Sequence, residues 1–195
     1  MKLKELISRA YKRRSLVDYI FYLSVIAGGI ILDQLTKFLA STFLTSVDTV
    51  PLINGVLHLT YVENTGAAFG MLKDAPWVFN TFSVIAIVAM SLYLFLGHAS
   101  NRLYEVSIAL IISGGIGNMI DRTLVGFVVD FIDFRLIRFA VFNGADSFVC
   151  VGAGLMILAL VLEIIDEAKK EKAKKKALEE AASAEGHMLD SEDEE

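Results

Sequence analysis

The chain has 195 residues, of which 55% are hydrophobic, and a net charge of −5. That apolar share is too high for a soluble domain of this size and comes in long blocks, which excludes an ordinary water-soluble protein. The acidic end (Glu192, Asp193, Glu194, Glu195) dominates the net charge, no nucleic-acid partner is expected, and the lone Cys150 excludes an internal disulfide and a cysteine-rich metal site.

A basic arm, residues 1–17, opens the chain with Lys2, Lys4, Arg9, Lys12, Arg13 and Arg14. It leads into an apolar run too long for the core of a cleavable signal peptide, so none is expected. Crossing about 30 Å of hydrocarbon takes roughly 20 apolar residues as a helix. Four stretches meet that length: residues 19–40, 77–96, 103–120 and 145–165. Helix is the expected form because it satisfies its own backbone hydrogen bonds in lipid. Gly28, Gly29, Gly114, Gly115, Gly117, Gly152 and Gly154 fall inside these stretches, and small residues let helices approach closely. Residues 18–165 therefore read as one four-span membrane domain.

Between the first two spans the chain is too polar to cross. Residues 56–62 (VLHLTYV) alternate and are rich in β-branched and aromatic side chains, which predicts a short strand or hairpin arm. Asn64-Thr65-Gly66 predicts a turn after it. Past the fourth span lies a charged tail, residues 166–195. Its Ala, Glu and Lys content predicts that the last helix continues into the cytoplasm to about Glu185, with residues 186–195 disordered.

Basic residues set the orientation. The arm, Arg102, and Lys169, Lys170, Lys172, Lys174, Lys175 and Lys176 lie on one side. The other side holds Lys37, Lys73, Arg122, Arg135 and Arg138. This imbalance predicts cytoplasmic termini. Asp33, Asp121 and Asp146 then sit at the outer ends of the first, third and fourth spans, with Asp130 and Asp133 in the outer loop between the last two. A carboxylate moved toward hydrocarbon costs about 2.5–3.5 kcal/mol even on lenient insertion scales. Five on one face predict carboxylate chemistry at the membrane boundary.

Asp33 and Lys37 lie four apart with the acid first, the favourable order for an ion pair. A structural pair is the simpler reading, and a Ser–Lys dyad with Ser41 rests on spacing alone. Asp121 beside Arg122 reads as a self-neutralised helix end, held ionised. Asn118 and Arg122 carry donors suited to orienting a peptide backbone. Asn143 and Asp146 have the spacing of a helix N-cap and its third residue, and Asp146 is also placed to project into the bundle as half of a catalytic pair. Asp130 and Asp133 read as solvated loop charges, or as carboxylates held against the bundle by Val129 and Phe131. The residues alone make Asp146 a candidate and leave Asp130, Asp121 and Asp133 open as its partner. His58, His98 and His187 are scattered, so no metal site is expected; residues 114–118 follow no strand, so they form no nucleotide loop.

Five blocks in chain order, DQLTK at 33–37, ENTGAAFG at 63–70, GGIGNMIDR at 114–122, VVDFID at 128–133 and FNGADS at 142–147, resemble the lipoprotein signal peptidase (signal peptidase II) family, the bacterial membrane aspartic peptidases. The resemblance covers residues 31–151. It implies a mainly α polytopic protein, a four-transmembrane-helix bundle with a small extracytoplasmic β-cradle and a surface helix near residues 67–72. It implies Asp130 and Asp146 as the catalytic pair, with Asn64, Gly66, Asn118, Arg122, Asn143 and Ala145 in substrate positioning and site support. Asp33 and Lys37 become the stabilising pair, and neither metal nor cofactor is implied. Gly144 stands where members carry a bulkier aliphatic residue, the run between Asp130 and Asp146 is slightly short, and the tail after Asp166 is an extension.

The implied substrate is a prolipoprotein whose cysteine already carries a diacylglyceryl group, cut just before that cysteine. Two such carboxyls share a proton: the ionised one takes a proton from water, and the neutral one hydrogen-bonds the scissile carbonyl. A monomer in the bacterial inner (cytoplasmic) membrane, in contact with its lipids, is expected, and the resemblance implies inhibition by globomycin-type cyclic peptides. A proton-coupled transporter is the non-enzymatic alternative. It predicts acids through the full bilayer depth, whereas these spans carry no charge in their middles. A structural membrane subunit leaves the polar clusters without a role.

Overall fold

The computed structural model describes residues 15–66, 76–97 and 101–192, with side chains for all of these except 76–79 and 176–192. The basic arm up to residue 14 and the surface helix expected near 67–72 lie outside the described residues. The chain is mainly helical: α1 (Leu16–Phe43), α2 (Pro76–Phe95), α3 (Arg102–Leu124) and α4 (Gly144–Glu192), with strands β1 (Val50–Ile53), β2 (Leu57–Asn64) and β3 (Val128–Phe134). Its contacts divide it into two units, Met1–Met156 and Ile157–Glu195, and every residue of the site described below belongs to the first.

α1, α3 and the Gly144–Lys175 part of α4 are long and apolar enough to cross a membrane, whereas the described apolar part of α2, Asn80–Phe95, is shorter. α1 begins where Ser15 caps it: the Ser15 Oγ accepts the Asp18 N–H at 3.2 Å and an Asp18 carboxylate oxygen accepts the Ser15 N–H at 3.1 Å. This reciprocal box satisfies two backbone donors that a helix start leaves unpaired. Tyr22, Ile26, Asp33, Lys37 and Ala40 form the buried stripe of α1, three, four or seven residues apart and hence on one face. Ile20, Leu23, Ile31, Leu32, Leu35 and Phe38 are exposed around the rest. An apolar surface this extensive is at home against hydrocarbon rather than water.

The helical core joins Tyr22 and Ile26 of α1, Ile87 and Leu94 of α2, and Ile108, Ala109 and Ile112 of α3. Glycines bring the backbones close at the site end. A Cβ on Gly117 would lie 2.5 Å from an Asp33 carboxylate oxygen and 3.3 Å from the Ala145 Cβ, so α3 can pass here only without a side chain.

The three strands form an antiparallel sheet in the order β1-β2-β3. The expected strand at 56–62 is β2, extended to Asn64. The segment read as loop, carrying Asp130 and Asp133, is β3. It pairs Val62 with Asp130, His58 with Asp133 and Asn64 with Val128. Alternating β-branched and aromatic residues suit a half-buried strand, and pairing with β2 supplies the backbone partners a lone loop would lack. Val129, with Ala40 and Leu44, forms a second core cluster against which Leu59, Tyr61, Phe127 and Phe131 pack. Between α3 and β3 the chain reverses at Gly126, whose φ of +86° favours glycine.

The tail departs from expectation. α4 runs on to Glu192, past Glu185 and through residues expected to be disordered. Ala, Leu, Glu and Lys propagate a helix, no proline interrupts them, and the single Gly186 costs only about 1 kcal/mol.

Candidate active site

The site lies where the C-terminal ends of α1 and α3, the N-terminus of α4 and the inner strand positions of the sheet meet. Its centre is Asn143, fully buried just ahead of α4. One Asn143 residue touches two carboxylates. Its Nδ2 donates to Asp130 Oδ1 at 2.6 Å, its backbone N–H donates to Asp146 Oδ2 at 3.2 Å, and its Oδ1 accepts the Asp146 N–H at 2.9 Å. The N-cap expected for Asn143 is therefore present, and it seats Asp146 beside Asp130. The capping and site roles coincide.

Each carboxylate holds a second donor. Asn64 Nδ2, from the end of β2, donates to Asp130 Oδ2 at 2.9 Å. Asn118 Nδ2, from α3, donates to Asp146 Oδ1 at 2.8 Å. The two amides join, since Asn143 Nδ2 also donates to Asn118 Oδ1 at 3.0 Å. Burial pushes the Asp130 carboxyl up to about 6; hydrogen bonds from Asn64 and Asn143 oppose the shift, and the charge of Asp146 adds to it.

Asn64 also closes the turn that follows it: its Oδ1 accepts the Gly66 N–H at 3.0 Å, the side-chain turn expected of Asn64-Thr65-Gly66. The Gly66 carbonyl lies 3.5 Å from Arg122 Nη2. Arg122 thus reaches toward the turn that presents Asn64 to Asp130.

Behind the carboxylates sits Lys37, 3% exposed, whose ammonium meets three acceptors: Asp33 Oδ2 at 2.8 Å, Asp121 Oδ2 at 2.9 Å and Asn118 Oδ1 at 2.9 Å. The expected Asp33–Lys37 pair exists but is half of a larger node. With all three donors occupied, Lys37 is not poised as a base for Ser41. Asp33 Oδ1 accepts the Ala145 N–H at 2.8 Å, which ties α1 to the first turn of α4. Ala145 is fully buried.

Two expectations change. Asp121 makes its ion pair with Lys37, and it also accepts the Gln34 Nε2 at 2.9 Å and the Val129 N–H at 3.2 Å; Arg122 feels the charges of Asp146 and Asp130 ahead of that of Asp121. Helix geometry points neighbouring side chains in different directions, so Asp121 turns inward to α1. Asp133 belongs elsewhere. It accepts from Thr60 Oγ1 at 2.8 Å and Arg135 Nε at 2.7 Å. Burial pushes its carboxyl up, but these hydrogen bonds outweigh that and hold it below the usual range. Residues three apart in a strand face opposite sides, so Asp133 and Asp130 cannot share a site.

The structure therefore brings together Asp33, Lys37, Asn64, Gly66, Asn118, Arg122, Asp130, Asn143, Ala145 and Asp146. Reading the residues had left out Gln34, which donates to Asp121 and, at 3.2 Å, to the Gly117 carbonyl. The available signal was a polar residue beside Asp33 near the end of an apolar helix. Among the described residues no group of three or more His, Cys, Asp and Glu is arranged to hold a metal ion.

Residues 25–162 match the family model described as signal peptidase (SPase) II. A lipoprotein signal peptidase of Clostridioides difficile is 48% identical over 131 residues, covering 67% of this chain and 88% of that one. One from Caldanaerobacter subterraneus subsp. tengcongensis is 46% identical over 129 residues, covering 66% and 88%. A solved structure of a bacterial membrane enzyme superimposes with a TM-score of 0.69 at 33% identity, covering 74% of this chain and 89% of that one. A second has a TM-score of 0.66 at 32% identity, covering 77% and 96%.

Proposed function

This chain belongs to the signal peptidase II family, and from that premise we propose that it removes signal peptides from prolipoproteins by aspartic chemistry, with Asp130 and Asp146 as the catalytic pair. The observation that carries the pair is Asn143, whose side chain and backbone hold both carboxylates at once. Two carboxyls on one bridging residue cannot both ionise cheaply, so they share a proton. A water between them is deprotonated by the ionised carboxylate and attacks the scissile carbonyl. The neutral carboxyl hydrogen-bonds the carbonyl oxygen, then protonates the leaving amine as the roles exchange. The Asp130 carboxyl, raised to about 6 by burial, keeps its proton into a pH range where a free carboxyl has lost it, which supports proton sharing, and the titration belongs to the pair rather than to either residue.

Asn64, Gly66 and Arg122 position the peptide, Asn118, Asn143 and Ala145 support the carboxylates, and Asp33 with Lys37 stabilises the helix junction. No metal or cofactor enters the proposal. The substrate is a prolipoprotein bearing a diacylglyceryl cysteine, cut just before that residue; a lipid-bearing chain suits a site at the end of apolar helices.

The proposed topology places the basic arm (1–17) and charged tail (166–195) in the cytoplasm, flanking a four-span domain (18–165). α2, with 20 residues, is about 30 Å long and serves as the fourth span. The sheet and site then face the extracytoplasmic side of the bacterial inner membrane. The protein acts as a monomer among membrane lipids and is inhibited by globomycin-type cyclic peptides.

The test is in vitro cleavage of a diacylglycerylated preprolipoprotein by purified protein. Asp130→Asn and Asp146→Asn are each expected to abolish cleavage while the protein still inserts and accumulates. Substantial turnover by either variant at matched expression would sink the pair.

A further inference from the structure

Lys37 does more than neutralise Asp33. Its Nζ donates to Asn118 Oδ1, and Asn143 Nδ2 donates to the same oxygen. Asn118 has one amide oxygen and one amide nitrogen. With the oxygen facing two donors, the nitrogen must face Asp146, where it donates at 2.8 Å. A flipped amide would set its NH2 against the ammonium and its oxygen against the carboxylate, two repulsive contacts in a buried place. Lys37 has only protons to offer and an ionised Asp146 only lone pairs, so the amide has one stable orientation.

We propose that Lys37 is a positioning residue for the reaction: through Asn118 it holds a hydrogen-bond donor on Asp146. This rests on the reading of Asp130 and Asp146 as the reacting pair. Asp33 and Asp121 anchor the ammonium so that its third proton points at Asn118. Asp33 is further fixed by the Ala145 N–H and Asp121 by Gln34 and Val129. A salt bridge whose only task was to tolerate a buried acid needs one carboxylate. Here two carboxylates leave the ammonium one direction free, and that direction is the site. Buried polar networks of this kind act as units, and their pairwise terms are separable only by double-mutant cycles.

The single variant Lys37→Met leaves two unneutralised carboxylates and can fail to fold. The informative variant is Lys37→Met with Asp121→Asn, which keeps the net charge of the node unchanged, measured against Asp121→Asn alone. With a diacylglycerylated preprolipoprotein, its kcat should fall by about tenfold or more with KM little changed, the pattern of an interaction made in the reacting complex. In an Asn118→Ala background the same Lys37 change should have almost no further effect, because the relay is already cut. A merely structural lysine would instead lower both backgrounds equally.

Equal loss in the two backgrounds, full activity of the folded double variant, or a double variant that does not fold would each overturn the proposal. Asp146→Asn is assayed alongside. If it remained active, the catalytic pair itself would be wrong; if it is dead while Lys37→Met/Asp121→Asn keeps full activity, only the positioning role falls.

Discussion

Asp130 is an acid buried in β3. Its carboxyl sits at about 6 against an ordinary 3.8, so the native state holds its proton over a pH range where the unfolded chain has released it. Stability from this group is therefore fully present below about pH 4 and is lost as pH rises through 6. The shift corresponds to at most about 3 kcal/mol. The thermal midpoint of the parent should fall relative to that of Asp130→Asn between pH 4 and pH 7, and a pH-independent difference would refute the burial argument. At the same scale Asp133 shows how little an acid's neighbourhood in sequence decides. Three residues away on the same strand, it is held by Thr60 and Arg135.

At the scale of elements, the site depends on how closely α3 approaches α1 and the start of α4. Gly117 has an Asp33 oxygen 2.5 Å from where its Cβ would be. Gly117→Ala should push the helices apart and destabilise the fold by about 1–3 kcal/mol, the usual range for overpacking. Gly144 is the contrast. The nearest atom to a Cβ there is 3.4 Å away, an ordinary contact, and its φ is not positive. Gly144→Ala should raise stability by about 0.4–1 kcal/mol by restricting the unfolded chain. Thermal midpoints of the two variants in detergent should therefore move in opposite directions. That also fits the bulkier residue the resemblance implies at Gly144. The start of α4 was legible in sequence because capping is local, as at Asn143 with Asp146, whereas the Ser15 cap of α1 was found only in the structure. β3 was not, because Val128–Phe134 becomes a strand only by pairing with β2, more than sixty residues earlier.

Across the whole molecule, the site and the C-terminal tail lie in different units. Deleting residues 172–195 should leave cleavage in detergent nearly intact, since no residue of the site is removed. The lost lysines would weaken attraction to anionic lipid by about 1 kcal/mol each near the surface, so any defect should appear in insertion rather than in turnover. A correctly inserted but inactive truncation would show that the tail acts on turnover itself. By itself the sequence determined the long apolar stretches, the capped start of α4 and the five polar blocks, because length, periodicity and side-chain type are properties of short stretches. Residue chemistry left open which acid meets Asp146, and only the resemblance named Asp130. Asn64 reaches Asp130 across 66 positions and Lys37 reaches Asn118 across 81. Only the packing of α1, α3, α4 and the sheet made Asp130, not Asp121 or Asp133, the neighbour of Asp146, because hydrogen bonds between distant elements are set by how closely their backbones approach.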